Sequence, residues 1–129
     1  MLRECSDQSF LKTHAASSTS CGRYGYYNYK HCGRCVPCLI RRASFHAWGI
    51  PDTTGYVYDE LSKEDSKHAW FDDVRSAAIA ISEAKDIGFD RWIRPKLGPV
   101  AAVHKDSYKD VLQRGMNELD AFLTAARVL

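Results

Sequence analysis

The sequence predicts a mainly α-helical chain that contains a small four-cysteine knuckle followed by a helical tail. Cysteines are concentrated in the first 38 residues, apolar residues recur at helical spacing in the second half, and no alternating apolar pattern extends beyond a few residues. The 129 residues, 45% of them hydrophobic and 26% charged, fit one small domain or part of a larger one. This composition excludes disordered, collagen-like and fibrous chains.

The first of two predicted units spans residues 1–58. Residues 1–20 are rich in serine and show little periodicity, which predicts a connector. Residues 21–38, which we call the knuckle, carry the four clustered cysteines together with glycines and a proline, which favour tight turns. A short helix is predicted from Cys38 to about Trp48, followed by a loop over residues 51–55.

The second predicted unit is a helical tail at residues 59–129. Ser62 is the expected N-cap of its first helix, with Glu64 and Asp65 in the first turn, and this helix should end near Gly88. Prolines and a glycine in residues 89–104 predict a loop, and Ser107 is the expected cap of the last helix. We expect two apolar stripes to pack in the core. The first is Trp70, Val74, Ala77 or Ala78, and Ile81, and the second is Tyr108, Val111, Leu112, Met116, Leu119, Phe122, Leu123 and Ala126.

The charge is unevenly distributed along the chain, although the overall net charge is only +2. Residues 8–51 contain six lysines and arginines and no carboxylate, whereas residues 52–129 carry a net charge of −3. This asymmetry indicates either an anionic ligand at the front or complementary packing of the two parts. No apolar run is long enough to cross a bilayer and the start does not resemble a signal peptide, so we expect no membrane association and a cytoplasmic location.

Four of the five cysteines have the spacing of a metal site. Cys32, Cys35 and Cys38 follow one another at intervals of three residues, and Cys21 lies eleven residues before the first of them. Four thiolates close a tetrahedral Zn²⁺ site with no open position, so the expected role of the metal is structural and no catalytic residue is predicted. Cys5 has no partner in this pattern.

Two alternatives to zinc remain open. The thiols could be free and buried, or they could hold an iron–sulfur cluster, although Arg42 stands where the fourth cysteine of a bacterial ferredoxin run would fall. His31 and His46 could in principle replace a cysteine, but packing or solvated roles are the simpler expectation for both.

Three further residues are candidates for ligand binding. Arg41 and Arg42 could bind a carboxylate or phosphate bidentately, or Arg41 could hydrogen-bond the knuckle. Asp52 could bind the edge of a purine-like base, although an aspartate in a turn is more often a cap. Residues 23–30 combine four tyrosines with Arg23 and Lys30, a pattern that could stack on nucleic-acid bases or simply pack around the knuckle.

The cysteine block resembles the C-terminal end of the QueC family, the 7-cyano-7-deazaguanine synthases. The similar residues are Thr19-Ser20-Cys21, then Cys32-Gly33, Cys35, Cys38, Arg41, Phe45, Gly49-Ile50, Asp52 and Tyr56, in register without gaps from Cys32 to Tyr56. The resemblance implies a structural zinc on the four cysteines. It also implies the C-terminal portion of an α/β PP-loop protein that uses ATP to convert 7-carboxy-7-deazaguanine and ammonia to the nitrile through an adenylated carboxylate.

Two departures from that family limit what the chain can do alone. The SGGxDS phosphate loop of the family's nucleotide-binding domain does not occur in this sequence, and 73 residues follow Tyr56 where the synthases end soon after. The helical tail and the segment from Cys32 to Ala43 look closer to the QueC-like proteins (QatC) of the Qat anti-phage defence system. Met1 would then be an internal methionine of a longer reading frame.

These observations give one leading hypothesis and one alternative. The leading hypothesis is the zinc-binding C-terminal segment of a QueC-like ligase, incomplete without a nucleotide-binding domain that holds ATP, with that domain or other defence proteins as partners. The alternative is a free-standing zinc module that binds nucleic acid or a protein through its basic front.

Overall fold

A computed structural model of the chain describes residues 2–61, 73–99 and 102–129, and helices make up its regular structure. No strand occurs in these ranges; the only β-type pairing in them is an isolated bridge between His31 and Tyr56. The α-helices are α1 (Gln8–His14), α2 (Val36–Trp48), α3 (Asp73–Ile87), α4 (Phe89–Ile93) and α5 (Lys105–Ala125), with 3₁₀ turns at Leu2–Glu4, Ala15–Ser17, Arg94–Lys96 and Ala102–His104. The predicted mainly helical fold with a helical tail is confirmed.

The predicted connector is more ordered than its composition indicated, because it contains α1. Asp7 caps this helix, since its carboxylate accepts a hydrogen bond from the amide of Phe10 at 2.8 Å. The indole Nε1 of Trp48 donates to the side-chain oxygen of Gln8 at 2.9 Å. The connector therefore packs beside α2, and a helix of seven residues, about two turns, is too short to show periodicity in the sequence.

Helix α2 begins two residues before its predicted start. Cys35 is its N-cap with extended backbone, and Pro37 occupies the first turn, where a missing amide hydrogen costs nothing. The helix ends at Trp48, as predicted, and Gly49 follows with a φ of 75°. Its amide bonds back to the carbonyls of Phe45 and His46, the usual glycine termination of a helix.

The boundaries of the tail helices are partly as predicted. Helix α3 ends at Ile87, which confirms the stop at Gly88, but the expected cap at Ser62, with Glu64, Asp65 and Trp70, lies outside the described residues. The prediction of Ser107 as a cap is wrong, because α5 begins at Lys105 after the N-cap His104.

The predicted loop at residues 89–104 is also wrong, since it contains α4 and two 3₁₀ turns. Trp92 and Ile93 of α4 are buried against Ala84 of α3, and this burial favours a helix despite the nearby prolines. Pro95 is compatible with it because it lies at the start of a 3₁₀ turn, where its amide is not needed.

The main core lies where α2 and α5 pack together. Its buried residues are Leu39, Leu61, Val74, Ile81 and Leu123. Only the second half of the α5 stripe takes part, because Tyr108, Val111 and Leu112 remain 54%, 42% and 41% exposed. None of the described helices has the length and apolar character needed to cross a membrane.

Candidate metal centre

The four clustered cysteines come together in one buried site. Their sulfur atoms all lie within 4.8 Å of one another, and the Cys32–Cys38 and Cys35–Cys21 pairs are each separated by 3.9 Å. None of the four side chains is more than 6% exposed. Cys38 is supplied by the first turn of α2, Cys35 by its N-cap and the other two by the preceding loop, so the helix start fixes half of the site.

The sulfur positions fit a tetrahedral metal ion. Four thiolates at about 2.3 Å from a central Zn²⁺ would stand about 3.8 Å apart. The 3.9 Å separations of the two sulfur pairs agree with that arrangement. The four residues could therefore hold a metal ion.

Backbone amides point at the sulfurs, as a cluster of thiolates requires. The amides of Arg23 and Cys32 each donate to the sulfur of Cys21 at 3.4 Å, and the amide of Cys35 donates to the sulfur of Cys32 at 3.3 Å. The contact with the Cys38 sulfur and hydrogen bonds from backbone amides lower the pKa of Cys32. The same contact, together with burial, raises the pKa of Cys38. Metal binding requires thiolates, and the amides stabilise them.

The knuckle is closed by a segment that returns from the end of α2. The amide of Val57 donates to the carbonyl of His31 at 2.9 Å, and the amide of Tyr58 donates to the carbonyl of Cys32 at 3.1 Å. Gly33 lies under this segment with a φ of 88°, and a Cβ placed there would stand 2.3 Å from the carbonyl oxygen of Tyr58. No side chain other than hydrogen fits at this position.

Aromatic rings form the walls of the site. Tyr24, Tyr27 and Tyr56 pack against the cysteine cluster. His31 is buried between the rings of Tyr24 and Tyr56, at centroid distances of 5.3 and 6.0 Å, and its Nδ1 lies 4.0 Å from the sulfur of Cys38. His31 is thus a wall residue beside a four-sulfur set that is already complete.

His46, the other histidine considered as a ligand, and Cys5, which the cysteine spacing left out, both lie outside the site. His46 is exposed on α2 beside the ring of Phe122, with centroids 6.0 Å apart. Cys5 is exposed, and its sulfur lies 4.0 Å from the carbonyl of Asp7. Neither is part of the four-cysteine group.

Arg41 forms hydrogen bonds with the connector and with the loop after α2, and not with the knuckle. Its side chain is 8% exposed, and its guanidinium donates to the hydroxyl of Thr54 at 3.0 Å, to the hydroxyl of Ser18 at 2.9 Å and to the carbonyl of Ala15. Of the two roles left open by the sequence, the structure shows neither, because these three acceptors belong to the connector and to the loop after α2. Thr54 and Ser18 could not be recognised as its partners, since 13 and 23 residues separate them from Arg41.

Replacing Arg41 with lysine should loosen the connector while leaving the metal site in place. A lysine has one charged nitrogen and cannot satisfy three acceptors in this fork geometry, so we expect a loss of about 2 kcal/mol in the free energy of unfolding. Hydrogen exchange should rise in residues 8–18 and stay unchanged at the cysteines. Arg91→Lys, at an exposed arginine of α4, is the matched control. Equal stability of the two variants would contradict this role.

Arg42 and Asp52, in contrast, line one cleft of about 350 Å³ between the loop after α2 and Phe122 of α5. Arg42 donates to the carbonyls of Gly33 and Tyr58, both at 3.3 Å, and lies over the rings of Tyr56 and Phe122. Burial lowers the pKa of this guanidinium. Arg42 thereby joins the knuckle to the tail, which the sequence did not predict because Phe122 lies 80 residues away.

Asp52 makes local hydrogen bonds with both of its carboxylate oxygens. One accepts the amide of Thr54 at 3.0 Å, the capping role considered from the sequence, and the other accepts the hydroxyl of Tyr56 at 2.7 Å. Burial and this carboxylate raise the pKa of Tyr56. Ligand binding by Arg41, Arg42 or Asp52 stays a prediction.

Comparison with curated proteins finds relatives that match a short segment of this chain. Over that segment the chain is similar to 7-cyano-7-deazaguanine synthases. The identity is 62% over 26 residues with the enzyme of Paracoccus denitrificans (20% of this chain, 11% of the relative). It is 42% over 40 residues with that of Methanococcus vannielii (31% and 17%) and 44% over 45 residues with that of Rhizobium rhizogenes (35% and 18%).

The similarity covers only a small part of each protein. The matched segments span less than a fifth of the length of these relatives. No protein-family model matches the chain, and no solved structure matches it. Together with the four-cysteine cluster, the short matches agree with a fragment from the C-terminal end of such a synthase, as the sequence resemblance predicted.

Proposed function

We propose that this chain is the zinc-organised segment of a 7-cyano-7-deazaguanine synthase-like protein, with Zn²⁺ held by Cys21, Cys32, Cys35 and Cys38. The observation that carries the proposal is the set of four buried sulfurs that all lie within 4.8 Å of one another. The short matches to curated synthases support the family assignment.

The role of the zinc in this proposal is structural. Four thiolates complete a tetrahedral site and leave no position for substrate or water. They also give the Zn²⁺ site a net charge of about −2, which amides and nearby cations would balance. Arg42 is one such cation, since it bonds the carbonyl of Gly33 inside the knuckle. A metal here holds the loop, the start of α2 and the returning segment at Tyr58 in one arrangement.

The chemistry of the whole protein is assigned to a nucleotide-binding part that this sequence does not contain. In the proposed protein that part uses ATP to activate the carboxylate of a 7-deazaguanine before ammonia converts it to the nitrile. The sequence has no SGGxDS loop to hold pyrophosphate, so the chain alone should release no pyrophosphate from ATP. Its partner is then the nucleotide-binding domain or another protein of the same system.

A role in anti-phage defence is the finer part of the proposal. It rests on the resemblance of the knuckle and helical tail to the QueC-like proteins of the Qat system. Efficiency of plating on cells that carry the intact locus, compared with cells that carry Cys38→Ser, tests it directly. Equal plating of phage on both strains would remove the defence assignment.

Metal analysis of the purified chain tests the zinc assignment. We expect a colourless protein with about one zinc per chain, as a closed four-cysteine site predicts. A brown sample with iron and acid-labile sulfide would assign an iron–sulfur cluster instead, and a metal-free folded chain would leave free thiols. Pyrophosphate release from ATP by the zinc-loaded chain would contradict the absence of a nucleotide site.

A further inference from the structure

The tyrosine-rich segment at residues 23–30 divides into an inner and an outer pair of rings. Tyr24 and Tyr27 pack against the cysteine cluster. Tyr26 and Tyr29 point outward and are 78% and 74% exposed, the highest exposures among the aromatic side chains of the described residues. Packing around the knuckle therefore accounts for only half of this segment.

The outer rings are held in place by the inner ones. Tyr26 meets Tyr27 with centroids 5.0 Å apart and planes at 86°, and Tyr29 meets Tyr24 at 5.9 Å and 75°. Such edge-to-face contacts restrict ring rotation while leaving ring surface in solvent. Each exposed ring thus rests on a ring that is fixed against the cysteines.

The backbone is strained at this same place. Asn28 and Tyr29 have φ angles of 55° and 61°, in the left-handed region that residues other than glycine, asparagine and aspartate rarely adopt. Hydrogen bonds from the amide of Tyr29 to the carbonyl of Tyr24 at 2.9 Å, and from the amide of Lys30 to that of Tyr27 at 3.2 Å, maintain the turn. Stability alone would favour glycine at position 29. A strained residue that projects an exposed ring is a sign of function.

The sequence on either side of the outer rings is basic. Arg23 and Lys30 flank the tyrosines, and no aspartate or glutamate occurs in the sequence from residue 8 to residue 51. Exposed, fixed aromatic rings with adjacent cations are the elements with which proteins bind single-stranded nucleic acids, where the bases stack and the phosphates pair with lysine and arginine.

We propose that Tyr26 and Tyr29 form a stacking surface for a single-stranded polynucleotide, with Arg23 and Lys30 contacting its phosphates. The surface lies outside the four-cysteine site, and the proposal does not depend on which metal that site holds. It also separates the tyrosines by role, since Tyr27 supports the knuckle and Tyr26 and Tyr29 would contact bases.

Fluorescence anisotropy of the full metal-loaded chain tests the proposal, with labelled single-stranded RNA, single-stranded DNA and duplex DNA of mixed sequence as probes. We expect single strands to bind more tightly than duplex, because only unpaired bases can stack. Tyr26→Ala and Tyr29→Ala should each weaken binding about tenfold. Tyr108→Ala, which removes a tyrosine that is 54% exposed on α5, should leave it unchanged.

A second variant separates loss of contact from loss of folding. Tyr29→Gly removes the ring but suits a φ of 61°, so it should maintain or increase stability while weakening binding as much as alanine does. Lys30→Gln should lower the slope of log affinity against log salt by about 0.7, the single-strand value for one phosphate contact. Lys105→Gln, at an exposed lysine of α5, should leave this slope unchanged.

The proposal would be overturned by the absence of binding to either single strand at low salt or by equal affinity for duplex and single strand. Binding that survives both tyrosine substitutions would overturn it as well. Equal or tighter binding of polyglutamate with the same dependence on Tyr26 and Tyr29 would also overturn it and assign the surface to an acidic protein.

Discussion

Serine in place of Cys38 is expected to abolish metal binding and to unfold the chain around the knuckle. Cys38 is fully buried, with its sulfur 3.9 Å from that of Cys32, and a hydroxyl is a poor replacement for a thiolate on zinc. A structural zinc supplies about 10 kcal/mol or more of apparent binding energy, comparable with the 5–15 kcal/mol that stabilises a whole domain. Circular dichroism during urea titration, with zinc measured per chain, checks this.

Cys5 provides a matched control for that substitution. It is exposed and lies outside the four-cysteine group, so Cys5→Ser should bind one zinc and unfold like the unmodified chain. Chelation of the metal from the unmodified chain should reproduce the Cys38→Ser result. A Cys38→Ser chain that still binds zinc and unfolds cooperatively at the original urea concentration would contradict the structural role.

The cysteine cluster could be predicted from the sequence because the information that encodes it is local. Two residues between cysteines place both sulfurs on one turn, and Cys32, Cys35 and Cys38 satisfy this spacing twice. The same holds for the end of α2, where Gly49 follows the last helical residue. Both of these features are encoded within a few residues of one another, and both were predicted correctly.

The contacts that join separate parts of the chain could not be predicted in this way. Arg41 finds its acceptors in the connector, and Arg42 reaches the ring of Phe122 in α5. An arginine in a sequence carries no sign of which distant carbonyl or ring it will meet. Only the fold shows which acceptors the guanidinium of Arg41 contacts, and anion binding by this residue stays a prediction.

The helix at residues 89–93 was missed for a related reason. Prolines in its vicinity predicted a loop, whereas burial of Trp92 and Ile93 against Ala84 stabilises a helical turn. The indole of Trp92 also donates to Glu83 at 3.1 Å, which anchors α4 on α3. Local propensity is a weak guide where tertiary packing supplies the larger free energy.

Alanine in place of Gly33 is expected to have the second largest effect on folding. Its φ of 88° is unfavourable for any residue with a Cβ, and that Cβ would stand 2.3 Å from a backbone oxygen of Tyr58, which cannot rotate away as a side chain could. Strain and overpacking together should cost about 3 kcal/mol or more. The returning segment would have to leave the knuckle, and with it the hydrogen bond from Tyr58 to the carbonyl of Cys32.

Comparison with Gly25 isolates this steric cause. A Cβ at Gly25 meets no atom within 4 Å, and its backbone is not in the left-handed region, so Gly25→Ala should be close to neutral. Zinc affinity and the urea midpoint of the two variants give the measurement. We expect Gly33→Ala to weaken both, because the amides near the sulfurs move with the displaced segment. Equal urea midpoints for the two variants would mean that the returning segment is not required to close the knuckle. The metal alone would then account for the order of the knuckle.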